Sequence, residues 1–175
     1  MSFLHLPRPY FSTGLSLLEL LITLSIVAIL AGIGVPRYTR LFQQNQLLAL
    51  TQQLIESLRM TKQMAISRNQ AYYLSLPSSP GSPLYCWSIS PIANCNCTDS
   101  PVSCQPDIVV VSADLQRIDW QSNRSQLTFS PLLGSSNGGS YTLTYGHASV
   151  KVIVSTLGRV RACMQSGESS AYANC

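Results

Sequence analysis

Gly14-Leu15-Ser16-Leu17-Leu18-Glu19 opens a run that stays apolar as far as Val35 and closes on Pro36. Between Leu15 and Val35 the only charge is Glu19, and Ser16, Thr23 and Ser25 are the only polar interruptions. A helix rising about 1.5 Å per residue over this stretch is about 31 Å long, enough to cross the hydrocarbon core of a bilayer. A carboxylate there costs about 2.5–3.5 kcal/mol on insertion scales, so an intramembrane charge usually marks function. A plain signal anchor would need no particular residue before Leu15. Here a glycine immediately precedes the run and the acid is its fifth residue. No A-x-A cleavage pattern closes the run, so an ordinary secretory signal fits less well.

At these residues the chain resembles a type IV prepilin, the precursor of pilus and pseudopilus subunits. The resemblance implies a prepilin peptidase/methylase that cuts between Gly14 and Leu15 and methylates the new N-terminus at Leu15. It also implies that Glu19 neutralises the terminal amine of a neighbouring subunit during assembly, and a buried carboxylate needs such a partner. Pro36 falls where pilins carry a helix-bending proline; its missing N–H breaks the local ladder, and Gly32 and Gly34 loosen the same turn. The implied partners are other pilins or pseudopilins in a filament. The implied location is the inner membrane with a periplasmic ectodomain, and after assembly a pilus at the cell surface. One feature departs from the pattern: such leaders are usually basic, whereas Met1–Gly14 holds only Arg8 and His5. Arg37 and Arg40 follow the run, so counting positive charges leaves the orientation open.

A chain of 175 residues suits one domain plus an anchor. The expected division is a leader at 1–14, a transmembrane and assembly helix at 15–36, an amphipathic helix at 37–69 and a β-rich region at 70–175. Charged residues make up only 10%, against about 25% in typical soluble domains. The formal charge of +4 is too mild to suggest nucleic acid by itself; position matters more than total. Cys86, Cys95, Cys97, Cys104, Cys163 and Cys175 all lie beyond the anchor. No histidine sits near Cys95-Asn96-Cys97 and Cys104, and C-x-C is not a usual zinc spacing, so disulfides are expected rather than a metal. The pairing is open among about 15 arrangements. We expect one or two bridges within Cys86–Cys104 and one joining Cys163 to Cys175.

From Arg37 to about Asn69, Leu47, Leu50, Leu54, Leu58 and Ala65 recur at helical spacing and form one apolar stripe. Met60 and Met64 read as core filling, and Arg59, Lys62 and Arg68 as a solvated face. Beyond Asn69 the period changes to two. Strands are expected at Ala71–Leu76, Leu84–Ser90, Ile108–Val111, Arg117–Gln121, Gln126–Ser130, Tyr141–Tyr145, Val150–Val154 and Arg159–Cys163. The fold class is therefore α+β: a long N-terminal helix packed on an antiparallel sheet, with disulfides.

The second half is similar to the FimT/GspH family of minor pilins and pseudopilins. The similarity rests on Ser57–Arg68, on Leu127-Thr128-Phe129-Ser130-Pro131, and on Val152-Ile153-Val154-Ser155-Thr156-Leu157-Gly158-Arg159-Val160-Arg161. The cysteine-rich loop and the tail after Cys163 are not covered by it.

Enzyme readings find little support. His147 has no Asp or Cys partner nearby in sequence, and no phosphate loop, H-E-x-x-H or G-x-S-x-G occurs; no cofactor is expected. Gly158-Arg159-Val160-Arg161 is the more informative stretch. In an extended segment Arg159 and Arg161 share one face, and Gly158 suits a tight turn after Val150–Val154. Paired cations on an edge strand commonly serve only to deter aggregation. FimT-like minor pilins of transformable bacteria, however, bind DNA through a C-terminal Gly-Arg-x-Arg motif, which Gly158, Arg159 and Arg161 match. The resemblance thus implies sequence-independent phosphate contact by Arg159 and Arg161. Lys151 is added on proximity, and the tail after Ala162 would be held beside the arginines by a Cys163–Cys175 bridge. Two functions stay open: a DNA receptor on a type IV pilus, or an assembly subunit whose arginines face solvent. The second would be a pilus-priming minor pilin or a GspH-like pseudopilin of type II secretion.

Overall fold

The computed structural model describes residues 16–76, 86–95, 97, 107–111, 118–167 and 171–175, apart from the side chains of Pro36, Val109 and Val111. Two compact units divide at Thr39 and Arg40, and one helix, α1 (Leu17–Ser67), contributes to both.

Local chemistry sets the ends of α1. Ser16 caps its start: the Glu19 N–H donates to Ser16 Oγ at 3.4 Å, and Leu20 N–H to the Ser16 carbonyl at 3.1 Å. Ser16 and Glu19 stand at the spacing of a capping box, with an acid near the positive end of the helix dipole. At the other end Asn69 adopts a left-handed φ of 51°. The Gln70 N–H then reaches Ala65 O and the Asn69 N–H reaches Ile66 O, both at 3.3 Å. This is a Schellman closure with asparagine in the place glycine usually takes.

In the first unit, the leucine, isoleucine and valine side chains of 17–35 are exposed, and the helix is long and apolar enough to cross a membrane. Its polar interruptions bond within the helix, Thr23 Oγ1 to Leu20 O at 2.9 Å and Ser25 Oγ to Leu21 O at 2.7 Å, which lowers the cost of placing them in lipid. The sequence suggests a break at Pro36, but the α assignment runs through it without interruption. One lost ladder bond is tolerated inside a helix this long.

In the second unit, α1 turns Leu47, Leu50, Leu54, Ile55, Leu58 and Ala65 into a shared core with the strands. Met64 packs on this core, whereas Met60 is exposed. Buried polar groups on the helix are satisfied: Thr51 and Thr61 bond back to the carbonyls four residues earlier, and the Trp87 indole N–H donates to Ser57 Oγ at 2.9 Å.

The strands are β1 (Tyr72–Ser75), β2 (Cys86–Ser90), β3 (Ile108–Val111), β4 (Asp119–Ser122), β5 (Gln126–Phe129), β6 (Gly139–Tyr145), β7 (Ala148–Val154) and β8 (Val160–Ser166). They form two four-stranded antiparallel sheets, ordered β3-β2-β1-β5 and β4-β6-β7-β8, where the sequence suggested one. The alternation explains this, because Tyr72, Leu74, Trp87, Ile89, Leu127 and Phe129 from one sheet enter the same core as Trp120, Tyr141, Leu143, Val150, Val152 and Val154 from the other. β4 begins at Asp119 and β8 at Val160, two residues and one residue later than the alternation alone suggests.

Cys86 pairs with Cys97 and Cys163 with Cys175. Cys95 is also disulfide-bonded. Cys104 lies outside the described residues.

Candidate nucleic-acid interface

β7 and β8 are joined through Ser155-Thr156-Leu157-Gly158-Arg159. The Gly158 N–H donates to Ser155 O at 2.8 Å and the Ser155 N–H to Arg159 O at 3.0 Å. Gly158 has φ of 69°. A turn followed by a left-handed residue is a common three-residue hairpin connection, and glycine adopts that conformation without a Cβ clash. The Ser155 hydroxyl accepts the Arg159 N–H at 3.1 Å and completes the loop. Arg159 is therefore a loop residue and only Arg161 lies within β8, correcting the expectation that both share one extended strand.

The loop is nevertheless tied into a fixed position. Lys62 of α1 donates from Nζ to Gly158 O at 3.2 Å and Leu157 O at 3.5 Å. A Cβ at Gly158 would stand 2.0 Å from the carbonyl oxygen of Gly134, so the two backbones meet where no side chain fits. Thr156 O accepts the Ser136 N–H at 2.8 Å. Lys62 is thus not part of a solvated face but a half-buried brace. Nor are its neighbours simply solvated: Arg59 pairs with Glu56 at 2.9 Å and Arg68 with Asp107 at 2.6 Å.

Arg159 and Arg161 line one cleft of about 380 Å³ together with Ile153, Ser155 and Leu157. Register explains the grouping, since Arg161 stands opposite Ile153 on β7 while Val154 and Val160 oppose each other. Val154 enters the core and Val160 packs against it, which turns Ile153 and Arg161 to the outer face. Both arginines are exposed. Among the described residues neither forms an ion pair. Two such forks can each accept two oxygens of an anion, and Leu157, 79% exposed, adds an apolar surface beside them.

Lys151 does not line this cleft. It faces Cys163 across the strands, two positions along β7 from Ile153, so it shares the outer face as a diagonal neighbour of Arg161. The tail does not line the cleft either. Met164 donates to Ala173 O at 2.8 Å and accepts from Cys175 at 2.9 Å, while the Tyr172 hydroxyl donates to Gln52 Oε1 at 3.3 Å. The Cys163–Cys175 bridge thus fastens the tail against the later part of β8, away from Arg159.

Gly14 and Leu15 lie outside the described residues. Glu19 is exposed in the first turn of α1, in the capping position given above. Sequence reasoning missed Lys62, Gly134, Ile153 and Leu157. The only available signal was that Lys62 falls off the apolar stripe, and that says nothing about a contact 96 residues away.

Comparison with known proteins now bears on this geometry. The family described as type II transport protein GspH matches residues 50–158. That match ends at Gly158, so Arg159 and Arg161 lie just past it. Two crystal structures of the type IV minor pilin FimU from Pseudomonas aeruginosa strain PAO1 share the fold. One superposes with a TM-score of 0.57 at 16% identity, covering 75% of this chain and 94% of that one. The other gives 0.52 at 15% identity, covering 74% and 95%. No curated protein matches the chain. The family match spans more than half of the sequence, and the chain belongs to the GspH family, with a type IV pilin- or pseudopilin-like fold.

Proposed function

We propose that this protein is a minor type IV pilin that sits near the tip of its filament and binds extracellular DNA without sequence preference, for uptake in transformation. The observation that carries the reading is the cleft that groups Arg159 and Arg161, exposed and without acidic partners among the described residues. Lys151 extends the positive face. A phosphate backbone offers closely spaced anions, and such contacts give weak, salt-sensitive binding. Anchoring through 15–35, cleavage after Gly14, methylation of Leu15 and the assembly role of Glu19 belong to the same proposal. DNA binding by the parent protein against Arg159→Ala combined with Arg161→Ala tests the receptor role.

A second reading is favoured by the family description and by where its match ends. In it the chain is an assembly subunit of a pilus or of a type II secretion pseudopilus, and the arginines only keep an edge strand soluble. Filament formation that requires the protein but survives the double arginine substitution, with no DNA binding, would favour this reading.

A further inference from the structure

At the other end of the second unit lies a cleft of about 320 Å³ lined by Arg40, Gln43, Gln44, Tyr145, His147 and Gly167 among others. The two-residue turn Gly146-His147 joins β6 to β7, with Tyr145 paired to Ala148. Gly146 has φ of 62°, and a Cβ there would meet Gln43 Oε1 at 2.8 Å, so the glycine lets the turn press against the helix. Arg40 and His147 are both exposed. Among the described residues no carboxylate lines the cleft and Arg40 has no ion pair. Arg40 and Lys62 are separated by about 33 Å of helix at 1.5 Å per residue, so this cleft is separate from the arginine site.

Its place along the chain points to a ligand. Arg40 follows the last apolar residue, Val35, by five positions, about 7.5 Å of helix. The headgroup layer outside the hydrocarbon core is about 5–7 Å deep on each side. Tyr38 and Phe42 bracket the same level and are 70% and 48% exposed, as aromatic anchors at a membrane interface are.

We propose that this cleft binds the phosphate of an anionic phospholipid headgroup, with Arg40 as the main donor and Gln43 and His147 beside it. The proposal rests on the membrane-anchored reading of residues 15–35 and not on DNA binding. Arg40 supplies a permanent charge and a planar fork for phosphate oxygens, and the anionic surface adds attraction for a cation at this depth. The bound lipid holds the β6–β7 turn against the bilayer while the subunit waits in the membrane.

The test is amide hydrogen exchange at Tyr145–Ala148 in the full chain, reconstituted in phosphatidylcholine liposomes with or without phosphatidylglycerol. Phosphatidylglycerol is expected to slow exchange several-fold. Arg40→Gln should remove that protection while leaving exchange in pure phosphatidylcholine unchanged. Equal exchange in the two lipid mixtures, or protection that survives Arg40→Gln combined with His147→Gln, overturns the proposal. Protection by inorganic phosphate alone, in pure phosphatidylcholine, overturns the lipid source in favour of a small-anion site. A chain that fails to float with either liposome overturns the anchoring reading, and the headgroup site falls with it.

Discussion

The Lys62 ammonium lies 3.2 Å from the carbonyl oxygen of Gly158 and so binds the helix to the loop that carries Arg159. A charged donor to a backbone carbonyl contributes about 1.5–3 kcal/mol where it is well formed and less where solvent reaches it. Lys62→Met keeps much of the packing against Gly134 and removes the donor. We expect stability to fall by about 1 kcal/mol and amide exchange at Thr156–Arg159 to rise. Unchanged exchange in that loop would show that Lys62 is not a brace.

Gly158 acts through its backbone. Gly158→Ala forces a Cβ into a left-handed conformation and onto the Gly134 oxygen, 2.0 Å away. The conformation alone costs about 1–2 kcal/mol, and the overlap adds to it. The melting temperature should drop by several degrees with both arginines still present, as thermal unfolding followed by circular dichroism would show. A variant as stable as the parent would contradict the close approach.

The Tyr141 hydroxyl is buried without a hydrogen-bond partner. Ser122, opposite it on β4, is engaged with the backbone of Arg124. Burial pushes the Tyr141 hydroxyl well above the ordinary tyrosine range, with Ser122 and the Arg124 charge pulling weakly the other way. The folded state therefore keeps this proton where the unfolded chain loses it. The associated stability is intact below about pH 10 and declines as pH rises further. Tyr141→Phe removes both this titration and the unsatisfied hydroxyl. Alkaline unfolding should move to higher pH, and an unshifted midpoint would rule the effect out.

The Cys163–Cys175 bridge closes a short loop and fixes the tail on β8. Replacing both cysteines with serine should cost about 2–3 kcal/mol on the chain-entropy estimate. Because the tail lines no part of the arginine cleft, DNA binding by the folded variant should change little. A large loss of binding would mean that the tail takes part after all.

The helix and most strands were legible in the sequence because each carries its own period. Leu47 through Ala65 recur as one stripe, and Leu127 and Phe129, or Val150, Val152 and Val154, alternate. The split into two sheets was not legible, since alternation tells which side chains face a core and not which strands pair. At the candidate site, Gly158 signalled a turn and the two arginines signalled a charged face. The shift of Arg159 out of the strand depends on Ser155 bonding back to Arg159, a feature of turn type that periodicity does not encode. Lys62 was misread because its partners are carbonyls distant in sequence. Glu19 also has a local role that the apolar run hid: with Ser16 it occupies the start of a capped helix.

The central claim is that Arg159 and Arg161 contact phosphates. The most direct test is DNA binding by Arg40–Cys175 with its disulfides formed, titrated against salt, beside Arg159→Ala combined with Arg161→Ala. The parent is expected to bind with log-affinity falling linearly in log-salt, and the folded double variant to lose about 0.9 of slope for each duplex phosphate contact removed. Equal affinity and equal slope in the two proteins, or no binding by the parent even at low salt, would contradict the claim.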